Sequence, residues 1–360
     1  MNGTSILGGS TLPPPLRTAA DMRPHWDDVE LSFDEAAERI IAAHAADGHA
    51  ADLPITDLKT WAVAPLDGQF ALVPLARHHQ PKPLRNNAFS NLMTRLGAPA
   101  EFLRDRLPAP LQIATANWLL GTADGSSTAT LRLRGGEVAA VVSGRYAPLD
   151  PVELVDTLHT ALSRHGLLSE VRVRGVATGL VDNMRIILPG ETRELRRGDV
   201  SNVGIDISTS CFGRSAVHIA PLIWRLVCSN GLRGVTKGEG LSFRHVGDSD
   251  RLKAAVSEAI PSALVHARGV MAEWQCGVTF MVKNVAAQIG AMRELTLIER
   301  KNLETELAKE TGAPELPEHV PLFDLVNAMT ASAKAAVPAR RWELEGLAGE
   351  LLDQHVGRGS

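Results

Sequence analysis

The feature that most constrains the fold of this chain is a pair of strand-forming segments on either side of Gly135-Gly136. Residues Ala129–Arg134 alternate apolar and polar side chains, and Glu137–Ser143 is almost entirely apolar. Two such segments joined by two glycines predict an antiparallel hairpin. An antiparallel sheet is therefore expected at the centre of the chain.

A helix is specified directly after this hairpin, beginning at Asp150-Pro151-Val152-Glu153. The Asp side chain can accept a hydrogen bond at the cap, Pro suits the first helical position, and Glu suits the third. Leu154, Leu158 and Leu162 follow at four-residue spacing, and Gly166 ends the pattern. These signals predict one helix with an apolar face.

Patterns on both sides of this region predict the other elements. Ser32 and Glu35 fit a capping box, which predicts a helix over Phe33–Ala46. Pro221 interrupts the apolar segment 216–228, so two short strands or a strand and a turn are expected there. Further strands are predicted at Gln69–Pro74, 171–178, 181–188 and 203–208, and helices at 88–120, 250–267 and from 286 onwards with a break at 312–321.

The fold class is therefore α+β, with an antiparallel β core, helices before and after it, and a long helical C-terminal region. Four segments are predicted: a disordered tail at 1–30, an N-terminal variable α/β region at 31–83, an α+β core domain at 84–285 and a helical C-terminal region at 286–360. The tail is expected because its first 23 residues are rich in Gly, Ser, Thr and Pro and can bury little.

Composition excludes several classes of protein. With 44% hydrophobic residues the chain is not wholly disordered. It lacks the run of about 20 apolar residues that a membrane span needs, and its first residues do not resemble a secretory signal. Cys211, Cys228 and Cys276 are odd in number and widely spaced, so no disulfide scaffold is expected and a reducing cytoplasm fits.

No metal or cofactor site is predicted, because the residue spacing that such sites require is missing. The chain has neither a G-x-x-x-x-G-K-[ST] phosphate loop nor the serine and zinc signatures of common hydrolases. Its histidines lack carboxylate or cysteine partners at ligand spacing. Cys228 lies between apolar neighbours and fits a small buried side chain; the alternative is a nucleophile, for which the sequence assigns no base.

Basic residues are concentrated in the middle of the chain. Residues 77–245 contain 21 Lys and Arg against 14 Asp and Glu, whereas both ends are acidic. A basic middle fits a polyanion-binding core, and scattered charges on a solvated surface are the alternative. Arg145 and Tyr146 could contact a phosphate and stack on a base, or could hold a core turn. The nucleic-acid-binding candidates are Arg145, Tyr146, Arg214, Arg225, Arg233, Lys237, Arg244 and His245.

Two blocks of sequence resemble the phage- and plasmid-related family called domain of unknown function 932. VVSGRYAPLD at 141–150 is similar to the family's LSDRYRPLDN segment, and 203–232, which ends in CSNGL, is similar to its second block. Arg244-His245 matches the Arg-His pair that typically follows. Gly144 and Thr209-Ser210-Cys211 depart from the family pattern, which has an acid at Gly144 and Asn-Ser-Glu/Asp at the second position.

The resemblance implies a cytoplasmic protein of a mobile element, and the strand-rich core followed by a helix is similar in outline to phage single-strand annealing proteins. We therefore expect a non-enzymatic DNA-binding protein, a single-strand annealing or ssDNA-protecting recombination factor, which favours single-stranded DNA, forms a homo-oligomer and has no membrane partner. One alternative is an enzyme acting on nucleic acid or nucleotides, with Cys228, Asn230 and His245 in its site. Another is a protein-interaction module that counters host defence, with acidic ends that imitate DNA.

Overall fold

The computed structural model of the chain describes residues 30–76, 80–123, 128–196, 198–225, 230–233 and 241–356. Helices and antiparallel sheets both occur along these residues, which confirms the α+β class. The tail predicted at 1–30 lies outside the described residues, except for Glu30.

The chain divides into two compact units. Among the described residues, the first unit contains His44–Tyr146 and Phe212–Arg214, and the second contains 30–43, Ala147–Cys211 and 215–356. The domain boundaries predicted after residues 83 and 285 lie within these units, and they stay predictions about independent folding.

Helix α1 (Phe33–Ala46) begins at the predicted capping box. The Ser32 amide donates to Oε2 of Glu35 at 2.8 Å, and the Glu35 amide donates to Oγ of Ser32 at 3.2 Å. These hydrogen bonds lower the pKa of the Glu35 carboxyl, because they favour its charged form. The local sequence signal alone was sufficient to locate this helix start.

The first unit is built from two small sheets and the helices between them. One sheet has the strand order β1-β5-β6 and the other has the order β2-β3-β4. The strands are β1 (Ala50–Ile55), β2 (Trp61–Leu66), β3 (Gln69–Pro74), β4 (Lys82–Pro83), β5 (Ala129–Arg134) and β6 (Glu137–Ser143), and the helices are α2 (Asn86–Arg95), α3 (Ala100–Arg106) and α4 (Ala109–Thr122).

Strands β5 and β6 form the predicted hairpin, with Arg134 opposite Glu137. Gly135 and Gly136 have φ angles of 56° and 87°, which are the values that a two-residue hairpin turn requires. Strand β1 extends this sheet beside β5 and was not predicted. It contains Pro54, which weakens the strand pattern in the sequence and is tolerated because β1 is an edge strand.

The helical block predicted at 88–120 consists of three helices, α2, α3 and α4. Gly97 has a φ angle of 76° and lies in the turn after α2. Pro99 and Pro108 occupy the positions just before α3 and α4, where a missing amide proton costs little. These three residues divide the block.

The second unit is built on one large antiparallel sheet with the strand order β11-β10-β9-β8-β7, and β12 pairs with β10 beside β11. A two-stranded ribbon, β13–β14, lies among the C-terminal helices. The strands are β7 (Arg172–Ala177), β8 (Asp182–Arg196), β9 (Asp199–Thr209), β10 (Val217–Arg225), β11 (Asn230–Arg233), β12 (Leu241–Phe243), β13 (Met281–Lys283) and β14 (His319–Pro321). The helices are α5 (Pro151–Arg164), α6 (Ser249–Gly277), α7 (Val285–Ala291), α8 (Leu297–Thr311), α9 (Leu322–Ala333) and α10 (Pro338–Val356).

Helix α5 confirms the prediction made from Asp150-Pro151-Val152-Glu153. The Asp150 amide donates to Oε2 of Glu153 at 3.1 Å, which forms one half of a capping box. Leu154, Leu158 and Leu162 are all buried and pack in one core with residues of α1, α6 and the large sheet. Gly166 follows the helix with a φ angle of 69°. Burial of the three leucines removes their side chains from water, and each contributes about 1.5–3 kcal/mol.

The apolar segment around Pro221 forms one continuous strand, β10, where two short strands or a strand and a turn were predicted. Strand β9 pairs with β10 along one side from His218 to Arg225. On the other side, β12 pairs with residues 217–219 and β11 pairs with residues 222–225. Pro221 lies in the gap between β12 and β11, where its missing amide proton breaks no ladder hydrogen bond.

Helix α6 continues ten residues beyond the predicted end at Ala267. Pro261 lies inside it, and Val270, Met271 and Trp274 bury an apolar face in its second half. The helical C-terminal region is confirmed, with the break at 312–321 that contains β14. Among the described residues, no helix combines the length and apolar character that crossing a bilayer would require.

Candidate nucleic-acid interface

Arg225, one of the predicted phosphate contacts, is buried at the end of β10. Its Nε donates to Oδ1 of Asp199 at 2.7 Å, and its Nη2 donates to Oε1 of Glu310 at 3.0 Å. Burial on its own would lower the pKa of Arg225, but hydrogen bonds to the two carboxylates raise the pKa above its usual value. The structure corrects the prediction. The Arg225 guanidinium links β10 to β9 and α8 through its hydrogen bonds to Asp199 and Glu310, and it is not open to a phosphate.

His245 is also an internal residue, with 5% of its surface exposed. Its Nδ1 lies 3.0 Å from the carbonyl oxygen of Ala147, and its Nε2 lies 3.1 Å from Oγ1 of Thr209. A carbonyl oxygen only accepts, so Nδ1 donates and a neutral ring accepts from the threonine hydroxyl at Nε2. The ring therefore holds the segment after Tyr146 against β9, and it does not serve the phosphate contact predicted for it.

The structure describes the remaining candidates of the second unit to different extents. Arg244 is exposed and has no ion-pair partner among the described residues. Arg233 pairs through its backbone with Leu222 at the end of β11. Lys237 and Cys228 lie outside the described residues, so the roles predicted for them stay predictions.

Arg145 and Tyr146 lie in the loop that follows β6, within the first unit. The Tyr146 amide donates to the carbonyl oxygen of Ser143 at 2.9 Å, which closes a turn directly after the strand. Arg145 points outward as an exposed side chain, and Tyr146 is partly exposed. The turn therefore places the Arg145 guanidinium and the Tyr146 ring on consecutive residues.

A buried arginine lies beneath the Tyr146 ring. The Arg132 guanidinium carbon is 5.5 Å from the ring centroid, within the range of a cation–π contact. Nε of Arg132 lies 3.2 Å from Oδ1 of Asp52, the residue opposite it on β1. Arg132 itself is 1% exposed. The ring is thus supported from inside the unit by a charged pair and retains a partly open side.

Residues Phe212–Arg214 form a second loop of the first unit, and it also lies against β6. Nδ2 of Asn87 donates to the carbonyl oxygen of Phe212 at 3.2 Å, and the buried Phe212 ring lies under the Arg134 guanidinium. Gly213 has a φ angle of 70°, and a Cβ atom there would lie 2.8 Å from Cγ1 of Val142. This loop needs glycine because it passes so close to β6.

The two loops bring three of the predicted residues to the same end of β6. Arg214 follows Gly213 and is exposed, and Arg145 lies three positions after Val142 and is exposed as well. We call Arg145, Tyr146 and Arg214 the β6-end group. Its members present two guanidinium groups and one ring, which is the chemistry that phosphate and base contacts use.

Sequence reasoning missed the arginines that support this group. Arg132 and Arg134 alternate with Leu131 and Leu133, and this pattern placed the leucines on one face of the strand and the arginines on the other. Both arginines are buried, at 1% and 2% exposure, with Arg132 against the Tyr146 ring and Arg134 against the Phe212 ring. Their aromatic partners lie 14 and 78 positions away in the sequence, so no local signal could identify them.

A buried ionic cluster in the second unit was also missed. Arg185 of β8 forms ion pairs with Asp206 of β9 and with Glu345 of α10. Nε of Arg341 donates to Oε1 of Glu345 at 3.0 Å. These four residues are at most 4% exposed, and they carry two positive and two negative charges. The cluster attaches α10 to the sheet and has no open side for a ligand.

A cavity of about 560 Å³ in the second unit has an acidic lining. Glu30, Asp34 and Glu35 contribute carboxylates, and Arg172, the cation beside them, lies 3.8 Å from Glu30. A lining with excess negative charge repels phosphate groups. This cavity is therefore not a candidate for nucleic-acid binding.

Residues 138–304 match the family described as "Domain of unknown function (DUF932)". This region of the chain belongs to the DUF932 family. The DUF932 match begins in β6 and ends in α8, so it includes Arg145, Tyr146, Arg214 and the large sheet. Helices α2–α4, α9 and α10 lie outside the match. No curated protein and no solved structure matches the chain.

Proposed function

We propose that this DUF932 protein binds single-stranded DNA without catalysing a reaction, with the β6-end group as its contact surface. The observation that carries the proposal is the exposure of Arg145 and Arg214 on two loops at one end of β6, with the partly exposed Tyr146 ring in the same turn. Arg225 and His245 do not take part, because their polar atoms are engaged inside the second unit.

Each member of the group has a defined role in this proposal. The guanidinium groups of Arg145 and Arg214 contact phosphate oxygens, which bind a strand without regard to its sequence. The Tyr146 ring stacks on one base, and Arg132 beneath it limits how far the ring can move. One stacked base leaves the neighbouring bases free to pair with a second strand, so the surface suits annealing as well as protection.

Several wider expectations belong to the same proposal. The protein acts as a homo-oligomer in recombination of a mobile element, in the reducing cytoplasm that its few cysteines fit. Arg244 supplies a further phosphate contact because its side chain is exposed. Arg233 and Lys237 remain candidates from the sequence. Residue chemistry and the resemblance to the DUF932 family support these expectations.

Fluorescence anisotropy with a labelled oligothymidine tests the proposal. The Arg145→Ala/Arg214→Ala double variant should bind more weakly, because it loses two phosphate contacts. On single strands each neutralised phosphate contributes about −0.7 to the slope of log affinity against log salt, so the double variant should flatten that slope by about 1.4.

A matched control is available in two exposed arginines of the second unit, Arg164 and Arg293. The Arg164→Ala/Arg293→Ala variant removes the same charge and should retain at least the larger part of the wild-type slope. Equal slopes for wild type and the Arg145/Arg214 variant would remove the β6-end group from the proposal. Absence of binding to any oligonucleotide at low salt would favour a protein-interaction module instead.

A further inference from the structure

Helix α4 of the first unit is an uncharged helix with an exposed apolar face. Its sequence, APLQIATANWLLGT, contains no Asp, Glu, Lys or Arg. Trp118 is 67% exposed and Leu111 is 52% exposed. A helix that is apolar on all sides is typical of a buried position. Among the described residues, only one side of α4 is covered.

The covered side is fixed to β2 by specific contacts. Oδ1 of Asn117 accepts from the Val63 amide at 2.7 Å, and its Nδ2 donates to the Val63 carbonyl oxygen at 2.9 Å. Ala116 and Leu120 are buried on the same side. These contacts determine the rotation of the helix, so the exposed side is a stable surface of the unit.

The exposed side carries Leu111, Ala114, Trp118 and Gly121 in one row. Their spacing of three, four and three residues places them on the same helix face. Large and small residues alternate along the row. We call these four residues the α4 row.

No close contact among the described residues requires a glycine at position 121. It is the penultimate residue of α4, which ends at Thr122, and glycine is a poorer helix former than alanine. Its backbone does not require a positive φ angle, and a Cβ atom would meet no atom of the part of the chain that the structure describes within 4 Å. A glycine at this exposed position lets another surface approach the backbone closely.

We propose that the α4 row binds the α4 row of a second copy of this chain, antiparallel across a two-fold axis. In this arrangement Leu111 lies opposite Gly121 of the other copy, and Trp118 lies opposite Ala114. Every large residue then meets a small one, and the pattern is the same on both sides of the axis. A two-fold interface requires such self-complementarity.

The charges at the ends of α4 also favour a second copy of this chain as the partner of the α4 row. Arg106 is exposed and lies just before the N-terminal end of α4, where the helix dipole is positive and disfavours a cation. Antiparallel pairing brings the negative C-terminal end of the other copy's helix to the same place. The two helix dipoles also oppose each other, which is their favourable arrangement.

Nucleic acid and a lipid membrane fit the α4 row less well than a second copy of this chain does. Nucleic acid requires basic residues, and α4 has none. At about 1.5 Å per residue, α4 is too short to cross a bilayer, and it lacks the Lys and Arg of helices that lie on membranes. The inference does not depend on DNA binding, because it uses different residues of the first unit.

The mass of the purified full chain in sedimentation experiments tests the proposal. Wild type should sediment at twice its chain mass of 38.6 kDa. Leu111→Glu and Gly121→Lys should each be monomeric, because each places an unpaired charge in an apolar contact. Each should raise the dissociation constant by roughly tenfold or more. Neither should unfold the protein, since both positions are exposed and lysine favours a helix more than glycine does.

Mixing the variants tests the pairing itself. An equimolar mixture of Leu111→Glu and Gly121→Lys should recover the dimer, because the new charges face each other at one contact and wild-type residues meet at the other. Leu111→Glu mixed with Ala114→Lys should not recover it, since Ala114 faces Trp118. Leu297→Glu, at an exposed leucine of α8, should remain dimeric as the control.

The outcomes separate this inference from the proposed function. A monomeric wild type at tens of micromolar, or dimers in every α4 variant, would overturn the second-copy proposal. Recovery with the Ala114→Lys partner would overturn the register. The Arg145→Ala/Arg214→Ala variant should keep the wild-type mass whether or not it binds DNA.

Discussion

Arginines of the large sheet and arginines of the β6-end group differ in their surroundings, although they look alike in the sequence. Arg185 and Arg225 are buried and contact carboxylates on neighbouring elements. Arg145 and Arg214 are exposed at the end of β6. The difference shows that a count of basic residues locates a basic region but does not separate buried, ion-paired arginines from exposed ones.

The two groups should therefore respond differently to mutation. Removing one member of a buried ion pair leaves the other charge uncompensated, which costs about 3–5 kcal/mol of stability. Removing an exposed arginine leaves no buried charge and should affect binding rather than folding. Three stability measurements make this difference quantitative.

The largest effect is expected for Glu345→Gln. The substitution retains the shape of the side chain but leaves Arg185 and Arg341 as buried cations with one fewer negative charge. We expect the free energy of unfolding in urea to fall by about 3–5 kcal/mol. Glu343→Gln is the matched control, because Glu343 lies on the same helix and is 61% exposed. Similar losses from both variants would show that the cluster is not electrostatically important.

A smaller effect is expected for the ion pair between Arg340 and Glu299, whose side chains are 28% and 18% exposed. Hydrogen bonds from Arg340 lower the pKa of Glu299 to about 2. A lowered folded-state pKa means that the stabilisation is present above the unfolded pKa, near 4.5, and is lost as the pH falls towards 2. Arg340→Gln should therefore cost about 0.5–1 kcal/mol at pH 7 and almost nothing near pH 2. A cost that does not change across this range would contradict the assignment.

The smallest effect is expected for the β6-end group. Arg145→Ala and Arg214→Ala should each change the free energy of unfolding by less than about 0.5 kcal/mol, because exposed side chains contribute little to folding. Thermal unfolding of both variants, with Arg225→Ala as the destabilised reference, measures this directly. If Arg145→Ala destabilised as much as Arg225→Ala, the two groups of arginines would not differ as described.

Local signals in the sequence predicted much of the fold. The capping boxes before α1 and α5 and the Gly135-Gly136 turn depend on residues within a few positions of each other, so a pattern can show them. Pro221 in β10 was not predictable, because its tolerance depends on the gap between two distant strands.

The candidate site was predictable only in part. Residue type identified Arg145, Tyr146 and Arg214, and the structure places them at one end of β6. Residue type also selected Arg225, whose role depends on Asp199 and Glu310, 26 and 85 positions away. Contacts over such separations leave no pattern in a single sequence. Whether each of these arginines is buried or exposed therefore required the fold.

The most direct test of the central claim is photo-crosslinking to single-stranded DNA that contains 5-iododeoxyuridine. Tyr146 is the only tyrosine in the chain, and trypsin releases it as the first residue of peptide 146–164. If the Tyr146 ring stacks on a base, mass spectrometry should find the nucleotide adduct on this peptide at Tyr146. The Arg214→Ala variant, which keeps the trypsin site at Arg145, should reduce its yield. Adducts confined to other peptides, such as the one that contains the exposed Trp118, would contradict the account.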